Sequence, residues 1–436
     1  MKVIVIGAGY VGLVTAVCLA ELGHQVTVHD TDADKISRLQ AGRTPFYEPG
    51  LEQALQTQVN LGRLEFVGTV RADCDWQVAL VAVGTPADAD GGADLRAVFA
   101  AAATLARTLP LGAVVALKST VPVGTANRIG RWLAIHGRED LRVASVPEFL
   151  REGSALADAR QPNRLVIGVE DEGALTVLRE LYAGVDAPVV YCDCASAEMT
   201  KYASNAFLAT KISFINEIAN ICERTGADVR RVAEGMGLDP RIGPDFLRAG
   251  LGYGGSCFPK DTQALVRIAG DVDYDFQLLK AVVRRNQEQR TEPVRQLTEW
   301  LGDLSGRQVV LLGVAFKPHT DDVRESPALD LVAWLWQRGA RMRLVDPVVR
   351  RVLLPELGVV KVMSDAYTAL SGADAAVLVT EWPEFVQLDW LRVRQAMRQP
   401  FLFDGRNVLN PQQMLAMGFT FRNFGCRTLR LAGQLK

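Results

Sequence analysis

Lys2-Val3-Ile4-Val5-Ile6-Gly7-Ala8-Gly9-Tyr10-Val11-Gly12 follows the initial methionine, and its reading decides the fold. Lys2 to Ile6 is an apolar, β-branched run that predicts a buried strand. It runs into three glycines, then a helical pattern from Leu13 to Leu22, then Gly23 and a second strand, Gln25 to His29, which ends at Asp30. Strand, glycine loop, helix, strand and acid in that order form the layout that binds a dinucleotide. Gly7 makes the tight turn, Gly9 lets a pyrophosphate approach the backbone, and Gly12 lets helix and strand pack closely. The amides at the helix N-terminus bind the phosphates. Asp30 lies 18 residues after Gly12, where its carboxylate would accept hydrogen bonds from an adenosine ribose and repel a 2′-phosphate. That favours NAD over NADP; FAD shares the fingerprint and is the rival.

The other end of the chain repeats this organisation. Gln308 to Gly313 (QVVLLG) echoes KVIVIG, Leu329 to Gln337 reads as the following helix, and Arg341 to Val345 is a strand ending at Asp346. Ala375 to Thr380 (AAVLVT) parallels Val78 to Val83 (VALVAV). Such uniformly apolar strands suit parallel sheets covered on both faces. In the second copy Gly313-Val314-Ala315-Phe316 replaces the glycine motif, which points to a different nucleotide ligand.

With 436 residues the chain exceeds one core and suggests two or three domains. Acids and bases nearly balance, with a net charge of -2, so neither a nucleic acid nor a membrane is an expected partner. No apolar run reaches the roughly 18 residues of a membrane span, and the N-terminus lacks a signal-peptide layout. Seven cysteines at irregular spacing fit a reducing compartment, the cytoplasm. Cys192 and Cys194 form a lone C-x-C and the four histidines are scattered, so no metal site is expected. Cys18 and Cys222 fall within apolar helical patterns and read as core.

One cysteine stands apart. In Gly252-Tyr253-Gly254-Gly255-Ser256-Cys257-Phe258-Pro259-Lys260-Asp261, glycines that allow close backbone approach precede a helix start. Pro259 suits the first helical position, and Lys260 to Ile268 reads as a short amphipathic helix. Cys257 would sit just before the helix N-terminus, where partial positive charge favours the nucleophilic thiolate. The alternative is a buried structural cysteine beside a tight turn.

Between the two α/β ends lies a helical stretch. Ser196 to Thr225 contains no proline and as one helix would be about 45 Å long, enough to bridge two domains or form a dimer core; two shorter helices are the alternative. It carries Lys201 and Asn205, an i, i+4 pair on one face that reads either as a solvated stripe or as an oxyanion-holding pair in a dry cleft. Pro147 to Gly153 (PEFLREG) and Lys118 to Thr125 (KSTVPVGT) each follow a strand, at the rim where open α/β sheets bind ligands. Glu148 could act as a base or position water, or be an ordinary loop acid.

Taken together, these segments resemble the nucleotide-sugar dehydrogenases of the UDP-glucose/GDP-mannose dehydrogenase family, and the resemblance covers nearly the whole chain. It rests on GAGYVG, FYEPGL at Phe46 to Leu51, VGTP at Val83 to Pro86, KSTVPVGT and PEFLREG. It continues through KYASNAFLATKISFINEIA, GYGGSCFPKD, FKPHTDDVRESPA at Phe316 to Ala328 and DGRN at Asp404 to Asn407. His319 departs from the family pattern, where an acidic or small residue is usual.

The resemblance implies an α/β fold of two Rossmann-like doubly wound domains joined by a central long helix and a helical dimerisation domain. The NAD-binding domain would span 1–194, the dimerisation domain 195–295 and the UDP-binding domain 296–436. It implies an NAD-dependent, two-step, four-electron oxidation of UDP-glucose to UDP-glucuronate through a thiohemiacetal and a thioester on Cys257. Lys201 and Asn205 would stabilise the oxyanion, while Asp261, Glu148 and Thr120 would organise water and move protons. Gly7, Gly9, Tyr10, Val11, Gly12, Asp30, Lys35, Thr85, Thr120, Glu152, Lys260 and Arg324 would contact the cofactor. Glu148, Phe149, Leu150, Arg151, Glu152, Lys201, Phe246, Leu247, Arg248, Ala249, Gly250, Gly254, Lys317 and Arg406 would contact the nucleotide sugar, the last two cations facing its pyrophosphate. Arg241 would reach into the neighbouring subunit of a homodimer. A GDP-mannose or UDP-N-acetyl-sugar dehydrogenase is the nearest rival. A single-step 3-hydroxyacid or 6-phosphogluconate-type dehydrogenase would need no cysteine, and an NAD-sensing protein would need no catalytic set.

Overall fold

Eight apolar runs in the N-terminal half become strands of one sheet. They are β1 (Lys2–Ile6), β2 (Gln25–His29), β3 (Leu64–Val67), β4 (Val78–Val81), β5 (Val114–Leu117), β6 (Arg142–Ser145), β7 (Leu165–Val169) and β8 (Val189–Cys192). The structure, a computed structural model, describes residues 1–72, 74–88 and 90–426; the last ten residues of the expected C-terminal domain, 427–436, lie outside this description. The strand order is β3-β2-β1-β4-β5-β6-β7-β8, and all neighbours are parallel except β6 and β7. Its first six positions follow the dinucleotide-binding order. Alternation along β1 sends Val3 and Val5 into one buried cluster and Ile4 and Ile6 into another, so helices must cover both faces.

The C-terminal half builds a smaller version. Its strands are β9 (Gln308–Leu312), β10 (Arg341–Val345), β11 (Arg351–Leu354), β12 (Gly358–Lys361), β13 (Ala375–Leu378), β14 (Phe401–Asp404) and β15 (Thr420–Asn423). The parallel sheet runs β10-β9-β13-β14-β15, while β11 and β12 form a separate antiparallel hairpin. This hairpin follows β10 in the chain, where the first half has β3 after β2. The expected repeat is therefore real, with five strands in the second sheet against eight in the first.

Two compact units result, one formed by Met1–Ser204 with Gln263–Tyr274, the other by Asn205–Thr262 with the described chain from Asp275 onward. The long helix is continuous over Cys194–Thr225, which removes the two-helix alternative. No helix among the described residues is long and apolar enough to cross a membrane.

The glycines behave as their spacing requires. Gly7 has φ +107°, and a Cβ there would sit 2.6 Å from the Ala82 carbonyl oxygen. A Cβ on Gly12 would lie 1.9 Å from the Gly7 carbonyl oxygen, whereas Gly9 faces open space. The first helix begins at Tyr10 with Gly9 as its N-cap and runs to Glu21, three residues earlier than the apolar pattern suggested. In the second half Gly313 repeats the turn with φ +102°.

The two halves also share an acid that holds the loop after the first strand, partly buried in the first half and fully buried in the second. Asp30 accepts the Ala8 amide at 2.8 Å. Its counterpart Asp346, fully buried, accepts the amides of Val314, Ala315, Val348 and Val349 and the Trp382 indole. Removing that acceptor strands several buried donors at once. Asp346→Ala is expected to lower the stability of the second unit by about 3 kcal/mol or more. Denaturant unfolding followed by tryptophan fluorescence checks this, and a loss below about 1 kcal/mol would contradict the role given to Asp346.

Candidate active site

At the fingerprint, Asp30 is already engaged. One carboxylate oxygen takes the Ala8 amide and the Lys35 ammonium, at 2.8 and 2.9 Å, and the other takes the Asp32 amide at 3.0 Å. Burial works against the charged form, yet the Asp32 amide, the Lys35 ammonium and the Ala8 amide outweigh it and hold the carboxyl below its ordinary range. The expected cofactor residues Asp30 and Lys35 thus form one ion pair at the β2 end. Thr85 and Thr120 are likewise linked, the Thr85 hydroxyl donating to the Thr120 carbonyl at 2.9 Å.

The segment after β6 carries a buried polar group. Glu148 is 6% exposed; one oxygen accepts from Lys201 Nζ at 2.9 Å and the other from the Leu150 amide at 2.5 Å. Burial alone would push the Glu148 carboxyl up, but Lys201, the Leu150 amide and Lys118 keep it below the usual range. The Phe149 ring lies 3.8 Å from the Arg164 guanidinium and 5.5 Å from Lys201 Nζ. Arg151 pairs with Asp158 of the short helix that follows.

Reasoning from sequence missed two members of this region. Lys118 is buried, and burial, reinforced by Lys201 and opposed by Glu148, pulls its ammonium down to about 8. Two lysines around one carboxylate leave an excess of positive charge, which suits an anionic reacting oxygen. Glu48, within FYEPGL, accepts the Tyr10 hydroxyl and the amides of Gly153 and Ala155. Tyr10 therefore ties the glycine fingerprint to the end of PEFLREG rather than simply facing solvent. The lysine at the end of an apolar strand was a visible signal; the distant partners of Glu48 were not.

The cysteine helix spans Phe258–Gly270, and its start, through Thr262, belongs to the second unit. The Cys257 carbonyl accepts the Asp261 amide at 2.8 Å, so Cys257 is the N-cap residue and Pro259 occupies the second helical position, not the first. Ser256 Oγ lies 3.6 Å from the sulfur. Asp261 is fully buried and held from both sides, by Asn205 Nδ2 at 2.6 Å and Lys260 Nζ at 2.6 Å. Burial pushes the thiols of Cys18 and Cys194 up to about 12.

The glycines before Cys257 permit a tight fit. A Cβ on Gly254 would be 2.2 Å from the Glu325 carbonyl oxygen, and the Gly255 amide donates to the Arg324 carbonyl at 3.0 Å. Arg406 draws the same region together. Its guanidinium donates to the carbonyls of Val379, Gly252 and Phe316 and pairs with Glu381. Those bonds make Arg406 a buried stitch, a task its sequence context did not disclose. Lys317 Nζ lies 5.3 Å from the Phe316 ring centroid.

Other expected contacts lie along the 239–250 segment. Phe246 has φ +64°, Leu247 and Ala249 are buried, and the Gly250 amide donates to Asn216 Oδ1 at 2.9 Å; Arg248 is exposed. Arg241 is 88% exposed and paired with Asp239. Arg324 pairs with Asp322 and is also exposed. Glu148, Phe149 and Lys201 are thus gathered in the first unit, and Asn205, Cys257, Lys260 and Asp261 in the second.

Comparison with known proteins gives the family of the chain. The descriptions of the UDP-glucose/GDP-mannose dehydrogenase family match its NAD binding domain to residues 1–186, its central domain to 195–288 and its UDP binding domain to 310–411. A UDP-glucose 6-dehydrogenase of Bacillus subtilis is 45% identical over 98% of this chain and 94% of its own length. One from Pseudomonas aeruginosa is 46% identical over 98% of this chain and 97% of its own. Among solved structures, a UDP-glucose dehydrogenase from Pyrobaculum islandicum is 43% identical with a TM-score of 0.87, covering 93% of this chain and 94% of that one.

Proposed function

The chain belongs to the UDP-glucose/GDP-mannose dehydrogenase family and is an NAD-dependent oxidoreductase; from that premise we propose that it oxidises UDP-glucose to UDP-glucuronate in two steps through a covalent bond to Cys257. The observation that carries this reading is the placement of Cys257 at a helix N-cap beside Asp261, itself buried between Asn205 and Lys260.

The fingerprint residues fit NAD. Gly9 leaves open space where a side chain would block a pyrophosphate, and Asp30 disfavours a 2′-phosphate. NAD supplies the hydride acceptor for each oxidation. The residues of the chain do the rest. Loss of the first hydride, and of the hydroxyl proton to a base, turns the sugar's primary alcohol into an aldehyde. The Cys257 sulfur adds to the carbonyl carbon, and the carbonyl oxygen becomes a thiohemiacetal hydroxyl after taking up a proton. Loss of the second hydride and of that proton leaves a thioester. Water then adds, the carbon–sulfur bond breaks, and the acid and the thiol are released. Lys201 and Asn205 stabilise the negative oxygen in these steps. Asp261, Glu148 and Thr120 orient water and move protons. Lys317 supplies a cation for the pyrophosphate, and Arg406 holds the backbone around it.

UDP-glucose is favoured because close relatives of this chain along its whole length carry that name. The UDP-sugar contacts proposed are Glu148 to Glu152, Phe246 to Gly250 and Gly254. The odd, irregularly spaced cysteine count suits a cytoplasmic enzyme. On UDP-glucose with NAD, the expected yield is two NADH per sugar, as a four-electron oxidation requires. GDP-mannose should be at least roughly a hundredfold poorer in kcat/KM. Cys257→Ala should abolish uronate formation while still binding NAD. One NADH per sugar, or uronate from the alanine variant, would overturn the covalent route; comparable turnover of GDP-mannose would overturn the substrate.

The long helix supports a homodimer. Phe207, Phe214 and Ile221 are 65%, 48% and 52% exposed, and their seven-residue spacing draws an apolar stripe along one helical face. Arg241 would then reach the partner's site. Phe214→Glu places a charge in the middle of the stripe and is expected to shift the protein from dimer to monomer in sedimentation velocity. A wild-type protein already monomeric and fully active at low concentration would contradict the dimer.

A further inference from the structure

Three residues before Lys201 on the long helix stands Glu198, 2% exposed. Among the described residues its carboxylate pairs with no cation. One oxygen accepts the Gly124 amide at 2.5 Å and the other the Ala126 amide at 2.8 Å. These are free amides at the start of the 11-residue helix Thr125–Ile135, whose own N-cap, Gly124, has φ +88° and no side chain to cap with. A negative group there also meets the positive end of that helix. Glu198 therefore closes, from another element, a helix end that its own sequence leaves open.

The segment so closed begins at Lys118. Its near end is fixed by the amides of Lys118 and Ser119 donating to the Val81 carbonyl at 2.8 and 2.9 Å, and by the Ser119 hydroxyl donating to the Val83 carbonyl at 2.7 Å. Its far end, at Gly124, is fixed by Glu198. Between them sits Thr120, whose hydroxyl makes no hydrogen bond among the described residues. Glu198 and Lys201 are neighbours on the helix surface at i, i+3. We propose that Glu198 is a positioning residue, locking the segment that carries Thr120 onto the turn of the long helix that carries Lys201. This rests on the reading of Thr120 and Lys201 as site residues.

The lock responds to pH. Burial pushes the Glu198 carboxyl up to about 7; the amides of Ala126, Gly124 and Thr125 oppose this and the Glu170 charge adds to it. Glu170 and the Cys194 thiol are the titratable groups facing it. Above about 7 both oxygens accept amides. Once protonated, one oxygen becomes a hydroxyl, a weaker acceptor whose hydrogen competes with the amide hydrogen, so one of the two bonds is weakened toward a one-bond state.

Glu198→Gln freezes the one-bond state at every pH with nearly unchanged shape. The first measurement is amide hydrogen exchange of Gly124 to Ala126 in the ligand-free protein, after confirming by circular dichroism that the variant is folded. Protection, corrected for intrinsic rates, should fall in wild type as pH drops below about 7, and should be low and pH-independent in the variant. The second is kcat/KM with NAD and UDP-glucose from pH 6 to 8.5. The variant should be lower by roughly tenfold, the equivalent of one hydrogen bond, and should lack the wild-type rise through about 7. Unchanged protection in the variant overturns the lock. Changed protection with an unchanged kcat/KM profile overturns its role in positioning Thr120. A wild-type protein that oxidises no nucleotide sugar would defeat the functional reading, while the exchange measurement still decides the lock.

Discussion

A carboxylate buried away from water must be given donors, and the loops of this protein are shaped by that requirement. Asp30, Glu48, Glu148, Glu198, Asp346 and Asp404 are each largely or fully withdrawn from solvent and each accepts at least one backbone amide. Asp404 shows how strong the opposition is. It accepts the amides of Arg406, Val408 and Leu409, yet burial still pushes its carboxyl up to about 6. Each acid converts a flexible connection at a strand end into a fixed one. The glycine fingerprint, the PEFLREG segment and the segment carrying Thr120 all owe their shape to such an acid.

The same requirement prepares the chemistry. Glu148 needs Lys201, and Asp261 needs Asn205 and Lys260. Lys201 and Asn205 thus satisfy buried acids while standing one turn apart on a single helix. Their positions are held by ground-state bonds before any substrate arrives, as preorganised electrostatic stabilisation requires. Lys118 adds a second buried cation near Glu148, and the excess of positive charge suits the oxyanion role proposed for Lys201.

Much of the frame was legible because its signals are local. The strands Lys2–Ile6, Gln25–His29 and Arg341–Val345 are apolar runs bounded by Gly or Asp, and the structure keeps their limits. The long helix lacks proline and glycine over its length, and it starts two residues before its expected first turn. Cys257 and its glycine loop were legible for the same reason. What escaped was long-range. The Glu48 bond to Gly153 spans 105 residues and the Glu198 bond to Gly124 spans 74, and no periodicity records such a partner. The resemblance gave Arg406 only as a pyrophosphate contact; that its guanidinium also donates to carbonyls brought close by folding left no local signal.

The proposed covalent route requires Cys257 to become acylated during turnover. The most direct test quenches the enzyme in acid during reaction with NAD and UDP-glucose and maps the peptides by mass spectrometry. A nucleotide-uronyl group on the Cys257 peptide, removed by hydroxylamine as a thioester is, is the predicted result. Sustained uronate production with no adduct on Cys257, when the quench is faster than turnover, would rule out the covalent route.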